Sequence, residues 1–176
     1  MKLIVFLLFF NMNDYNLEDL IGKSIREINN VFDCDFKNKL IDKRFYYSDL
    51  KEERFYYGLN YNFISLILNE DLKIESITIH FKEVIDLNFY NYFTKDYGQP
   101  KNILVSKNRK LASESITKED VAKTFQQKLK QYESIVEEGS FEDKPKYLSW
   151  KKEDFEIKIS IDYDMSISEI IFKKTQ

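Results

Sequence analysis

Apolar residues along this chain change their spacing several times, and each spacing predicts an element. Ile25, Ile28, Val31 and Phe32 fall on one helical face. Ser24 and Glu27 precede them as a capping box, in which each side chain can satisfy an N–H at the start of the helix, and Gly22 lies just before. Four aromatic and aliphatic runs follow, at about 43–48, 53–58, 61–69 and 73–82. They predict strands, because Tyr, Phe and Ile suit a pleated, half-buried surface. Ser48-Asp49, Gly58 with Asn60, and Asn69-Glu70-Asp71 are the turn signals between them. Leu87 to Tyr97 predicts a second helix, stopped by Gly98 and Pro100, with a strand at 102–106 beyond. Val121, Phe125, Leu129, Tyr132 and Val136 recur at steps of 4, 4, 3 and 4, which predicts an amphipathic helix over 117–138. Thr117 reads as its N-cap and Gly139 as its stop. Strands at about 146–151, 154–162 and 166–173 close the chain.

The stretch RFYYSDLKEERFYY, residues 44–57, repeats Arg-Phe-Tyr-Tyr. It reads as a hairpin turning at Ser48-Asp49. Alternation groups Phe45 with Tyr47 and Phe55 with Tyr57 on one face, and Arg44 with Tyr46 and Arg54 with Tyr56 on the other. Phe is the better core residue, so the Phe faces are expected inward. In the next strand Ile64, Leu66 and Leu68 read inward, with Tyr61, Phe63 and Ile67 outward. The 154–162 strand is conventional by comparison, with Ile157, Ile159 and Ile161 inward and Glu156, Lys158 and Ser160 outward. The first sheet is thus expected to be apolar on both faces. Its outer face needs a cover: the N-terminal LIVFLLFF segment, the 117–138 stripe, or a partner. Arg and Tyr dominate interface hot spots, so Arg44, Tyr46, Arg54, Tyr56 and Phe63 are the candidate partner-binding residues.

The last two strands of each half align at an offset of 93 residues: Ile64, Asp71, Ile74 and Ile77 with Ile157, Asp164, Ile167 and Ile170. Both copies step by three after the turn, from 74 to 77 and from 167 to 170, where a flat strand steps by two. A bulge or wide turn is expected in both. The expected fold class is α+β: two helix-plus-antiparallel-sheet repeats with an amphipathic helix inserted in the second. The segments are an apolar N-terminal stretch (1–13), a first repeat (14–83) and a second repeat (84–176), within one compact unit.

Gly22-Lys23-Ser24 opening a helix, Tyr97-Gly98-Gln99-Pro100 closing one, and the paired strands ending each half carry a resemblance. The arrangement resembles the tandem-repeat fold of the β-lactamase inhibitory protein and its relatives, and is similar to small bacterial immunity-type proteins. The resemblance covers most of the chain. It implies a binding role rather than a chemistry. The inserted helix and the absence of a disulfide depart from the family's secreted inhibitors.

Composition narrows the function. The 43% hydrophobic content supports a packed core in one domain or two small ones. The 16% aromatic content comes with abundant Lys, Asn and Ile and with only Ala112 and Ala122 as alanines, as a low-GC bacterial genome would produce. Acids outnumber bases 30 to 27, and the aromatic runs lack the glycines of an RNA-recognition motif, so no nucleic-acid partner is expected. Cys34 is the single cysteine, which excludes an intramolecular disulfide and a zinc–thiolate cluster. No nucleotide, zinc-protease, hydrolase or redox motif occurs, and Asp162 to Lys173 lacks the glycine and glutamate of a calcium loop. His80 is the single histidine, placed by alternation on the face opposite Ile77, Ile79 and Phe81. No catalytic residue, cofactor or metal is expected.

MKLIVFLLFF is too short for a membrane span, and no small-residue cleavage site follows. It reads as an apolar strand, with a targeting remnant as the alternative. The expectation is therefore a cytoplasmic, non-enzymatic protein-binding module of inhibitor or toxin-immunity type that occludes its partner. Its partner is another protein, such as a toxin or enzyme, or a second copy. The alternative is an envelope-associated or scaffold protein, exported if residues 1–13 direct it.

Overall fold

A computed structural model describes residues 16–39, 42–118 and 126–175. A 3₁₀ turn, Leu17–Leu20, leads into helix α1, Ile25–Phe32. The Glu27 carboxylate accepts from the Ser24 backbone N–H at 2.8 Å and from its hydroxyl at 2.7 Å, which ties the start of α1. Strands β1 (Lys37–Lys39), β2 (Asp42–Tyr56), β3 (Leu59–Leu68) and β4 (Ile74–Phe81) follow. Helix α2, Leu87–Tyr97, is capped by Asp86, whose carboxylate accepts from Phe89 N at 2.8 Å. Then come β5 (Asn102–Lys118), β6 (Gln126–Glu138), a 3₁₀ turn (Phe141–Asp143), β7 (Pro145–Lys151), β8 (Phe155–Asp162) and β9 (Ile167–Lys174).

All nine strands form one antiparallel sheet in the order β1-β2-β3-β4-β9-β8-β7-β5-β6. This corrects the expected α+β fold of two helix-plus-sheet repeats. The segments 14–83 and 84–176 do not carry separate sheets, because β4 pairs with β9 from Ser76↔Lys173 to Phe81↔Ser168. Ile77, Ile79, Ile170 and Phe172 bury the same face of that seam. Separating the two sheets would expose these side chains and leave the facing backbone groups unpaired.

The expected amphipathic helix over 117–138 is likewise corrected: its described residues are strand. Residues 117–118 end β5 and residues 126–138 form β6, its antiparallel partner from Leu104↔Glu138 to Lys118↔Gln126. Val121 and Phe125 lie outside the described residues. Three of the four steps are even and fit strand alternation as well as a helix, while the step of three from Leu129 to Tyr132 fits only the helix; pairing with β5 overrode it. Gly139, read as a helix stop, closes β6 for a different reason. A Cβ there would come within 2.7 and 2.9 Å of the two Val105 methyls.

The RFYY pair is not a hairpin. The first copy and Arg54 to Tyr56 of the second lie on β2, and the turn begins at the last residue of the second copy, where Tyr57 (φ 48°) and Gly58 (φ 87°) join β2 to β3 with both central residues left-handed. The apolar N-terminal segment 1–13 lies outside the described residues. The bulge or wide turn expected in each half takes a different form in the two. β4 carries one at Glu75, since Ile67 faces Ser76 while Leu68 faces Ile74. β9 runs in unbroken register with β8, so its step of three leaves Ile167 exposed and Ile170 buried.

The core lies on one face of the sheet. Leu17 and Leu20, Ile28 and Phe32 of α1, and Phe89, Phe93 and Tyr97 of α2 pack there against Ile64, Leu66, Ile77, Ile79, Trp150, Ile157, Ile159 and Phe172. Phe141 of the second 3₁₀ turn packs against the same cluster. Every described helical element therefore lies on one side. Among the described residues, none covers the opposite face.

Candidate functional site on the open face of the sheet

Cross-strand partners share a face, so the buried residues of β3 assign every neighbour. Ile64 and Leu66 are in the core, opposite Ser48 and Tyr46. Tyr46 and Ser48 therefore point to the core, and Phe45 and Tyr47 to the open face. This reverses the expected sidedness of β2.

The candidate partner-binding residues accordingly separate. Arg44 is exposed near the start of β2, and Tyr46 packs against the core cluster. Arg54 donates from Nη2 to the Phe32 carbonyl of α1 at 2.9 Å, with its guanidinium 5.5 Å from the Phe32 ring centre. Tyr56 is buried against Phe89 and Phe172, and its hydroxyl lies 3.5 Å from that of Tyr97. Tyr97 in turn donates to Glu18 at 2.9 Å. Of the five residues, Phe63 stands on the open face. Tyr61, expected beside it, is in the core, because the register against both neighbours breaks between Tyr61 and Phe63.

Around Phe63 a continuous strip crosses the open face. Tyr47 lies 6.3 Å from Phe45 and 6.1 Å from Phe63, and Phe63 meets the His80 imidazole edge-on at 4.9 Å. His80 then joins Ser65 on β3 to Glu169 on β9. Its Nε2 is 2.9 Å from Ser65 Oγ, and its Nδ1 is 3.4 Å from Glu169 Oε2. The tautomer that serves both contacts carries its proton on Nδ1, toward the carboxylate, and accepts from the Ser65 hydroxyl at Nε2.

Past Glu169 the strip opens into a shallow groove of about 480 Å³ over β9, β8, β7 and β5. Ile171, Tyr147 and Leu104 form its apolar walls, and Ser149, Ser160, Lys158 and Glu169 its polar lining. Tyr147 is half exposed.

Serine, histidine and carboxylate in this order are the groups of an acyl-transfer triad. The surroundings differ from one. Ser65 is buried in the middle of a central strand, paired on both sides with β2 and β4, so nearby backbone N–H groups are committed to the ladder and not free to hold an oxyanion. What the row does is hold a polar centre rigidly within an aromatic surface. His80 was legible as an open-face residue from alternation. Ser65 and Glu169 were not, because their meeting depends on the β3–β4 and β4–β9 registers.

Burial pushes the His80 pKa below its ordinary 6.5 and the Glu169 pKa above its ordinary 4.5. For His80 the unfolded chain takes up a proton that the folded chain resists. Its stabilising contribution is complete above pH 6.5 and is lost as pH falls through the lowered folded value. Glu169 acts in the opposite sense, since its contribution is complete below pH 4.5 and is lost as pH rises through the raised value. With one histidine in the chain, its imidazole proton resonance reports the first shift directly. The expected midpoint lies below 6.5, and a midpoint at or above 6.5 would show that Glu169 outweighs burial.

Among the described residues, no group of three His, Cys, Asp or Glu side chains is placed to hold a metal ion, and no helix is long and apolar enough to cross a membrane. No family model, curated protein or solved structure matches the chain.

Proposed function

We propose that this chain is a protein-binding module, of inhibitor or immunity type, that occludes a partner with the open face of its sheet. The observation that carries this reading is the aromatic pair of Tyr47 and Phe63, 6.1 Å apart on the face opposite every described helix. Rigid aromatics on a sheet cost little ordering entropy when a partner covers them, and half-buried Tyr47 and Phe63 lie on the same face as the exposed Ile67. The binding face differs from the one expected from alternation: Phe63 stays in it, while Tyr46, Arg54 and Tyr56 belong to the core side.

The test is a Tyr47→Ser, Phe63→Ser double variant. Both residues are half-buried on an open sheet face, so the stability loss is expected at about 1 kcal/mol per cross-strand contact or less. Partner capture should fall by more than about 30-fold, the loss of one hot spot. Light scattering on both proteins separates a second copy from a foreign partner. A folded double variant that retains its partner at full strength would sink the reading. The envelope-scaffold alternative rests on residues 1–13, outside the described residues, and no structural observation favours it.

A further inference from the structure

We infer that the groove beside Glu169 is an anchor site for an arginine side chain of the partner protein. The inference rests on the protein-binding reading and adds the chemistry of the contact. Glu169 lies at the junction of the aromatic strip and the groove, with its side chain about one-third exposed (36%). Among the described residues its one ion-pair contact is His80, at 3.4 Å. At neutral pH that imidazole is uncharged, since burial lowers its pKa. The half-buried carboxylate therefore has a hydrogen-bonding neighbour and, among the described residues, no ion pair with a lysine or arginine. A partner covering this face would remove the remaining water, and an uncompensated carboxylate at a buried interface is costly. A complementary occupant brings a cation.

The groove walls say which cation. Ile171, Leu104 and the half-exposed Tyr147 ring form an apolar trough, suited to the three-carbon stem of arginine. The guanidinium is weakly hydrated, stacks on aromatic rings and donates in several directions at once. Glu169 can take two of its donors, and the Ser149 and Ser160 hydroxyls line the same groove as further acceptors. Lysine offers a smaller, more strongly hydrated charge that loses more on entering. Lys158 also lines the groove, but it is exposed and makes no described ion pair with Glu169. Its flexible ammonium competes weakly with an incoming guanidinium.

The experiment titrates the full chain with N-acetyl-arginine amide, using N-acetyl-citrulline amide as the uncharged isostere, and follows backbone amide shifts by NMR. Arginine amide should shift Tyr147, Ser160, Glu169 and Ile171 and saturate in the millimolar range. Citrulline amide should not. Glu169→Gln should weaken arginine binding at least fivefold while leaving the remaining spectrum in place, and Lys158→Met should tighten it about twofold by removing a competing charge. Equal shifts with citrulline, shifts away from the groove, or unchanged affinity in Glu169→Gln would overturn the inference. The two readings fail separately. A captured partner that is lost with Tyr47 and Phe63 but indifferent to Glu169→Gln removes the anchor and leaves the binding face. Arginine amide binding without any captured protein leaves the anchor and removes the binding face.

Discussion

Phe172→Ala is expected to remove about 3–5 kcal/mol of stability, the usual cost of emptying a fully buried phenylalanine site. Phe172 has no exposed surface and stands on β9 between Ile77 of β4 and Ile157 of β8. Its ring meets Tyr97 at 5.9 Å, Phe155 at 6.4 Å and Tyr56 at 6.5 Å. The side chain thus ties the strand seam to α2 and to the end of β2. Collapse into the cavity is hindered because its neighbours are held by the sheet ladder and by one another. Domains of ordinary stability retain about 5–15 kcal/mol, so the variant should unfold at a much lower urea concentration or fail to fold at 37 °C. Phe172→Leu, which keeps most of the volume, should cost clearly less. A loss under about 1 kcal/mol for the alanine variant would show that the seam is not the centre of the core.

Trp150→Ala should be nearly as damaging, at about 3–5 kcal/mol, and Trp150→Phe separates its two contributions. Trp150 is buried on β7 and packs edge-on against Phe93 of α2 at 5.0 Å. Its Nε1 donates to the Gly98 carbonyl at 2.8 Å, and Lys152 Nζ donates to the Tyr97 carbonyl at 2.6 Å. Trp150 of β7 and Lys152, one residue past its end, therefore close the C-terminal end of α2, where helical carbonyls lack partners of their own. The phenylalanine variant keeps most of the packing and loses the indole donor, so about 1 kcal/mol is expected from the hydrogen bond. Because Trp150 is the single tryptophan, unfolding has to be followed by far-UV circular dichroism. Equal losses for the two variants would mean that the helix-end hydrogen bond, rather than packing, dominates.

Both residues lie in elements that were readable from sequence, although their energetic weight was not. The second strand-forming tyrosine of each RFYY copy, Tyr47 and Tyr57, shows the limit. Tyr47 was paired correctly with Phe45 on one face, yet that face was assigned to the core. The deciding fact is that Tyr46 pairs with Leu66 and Ser48 with Ile64, which is a property of two strands rather than one. Tyr57 leaves the strand altogether for a left-handed turn and packs on Phe89 and Phe93. Bulges have the same consequence. Asp49 faces Phe63 and Arg54 faces Tyr61, so four residues of β2, from Leu50 to Glu53, stand against Asn62 alone. No alternation count survives such a step, because one unmatched residue exchanges the faces of everything beyond it.

The sequence by itself determined the features whose cause is local. The Ser24–Glu27 cap starts α1, Gly98 ends α2, Asn69 and Asp162 fold their turns by accepting from following N–H groups, and the strict alternation of 157–161 buries Ile157, Ile159 and Ile161. Each depends on residues within a few positions of one another. The tertiary structure alone decided that β5 and β6 replace a helix, that β4 and β9 fuse the sheet, and that Ser65, His80 and Glu169 form one row. These depend on pairings between distant segments. An even spacing of apolar residues is compatible with more than one local conformation, and the free energy of burying a shared face chooses among them.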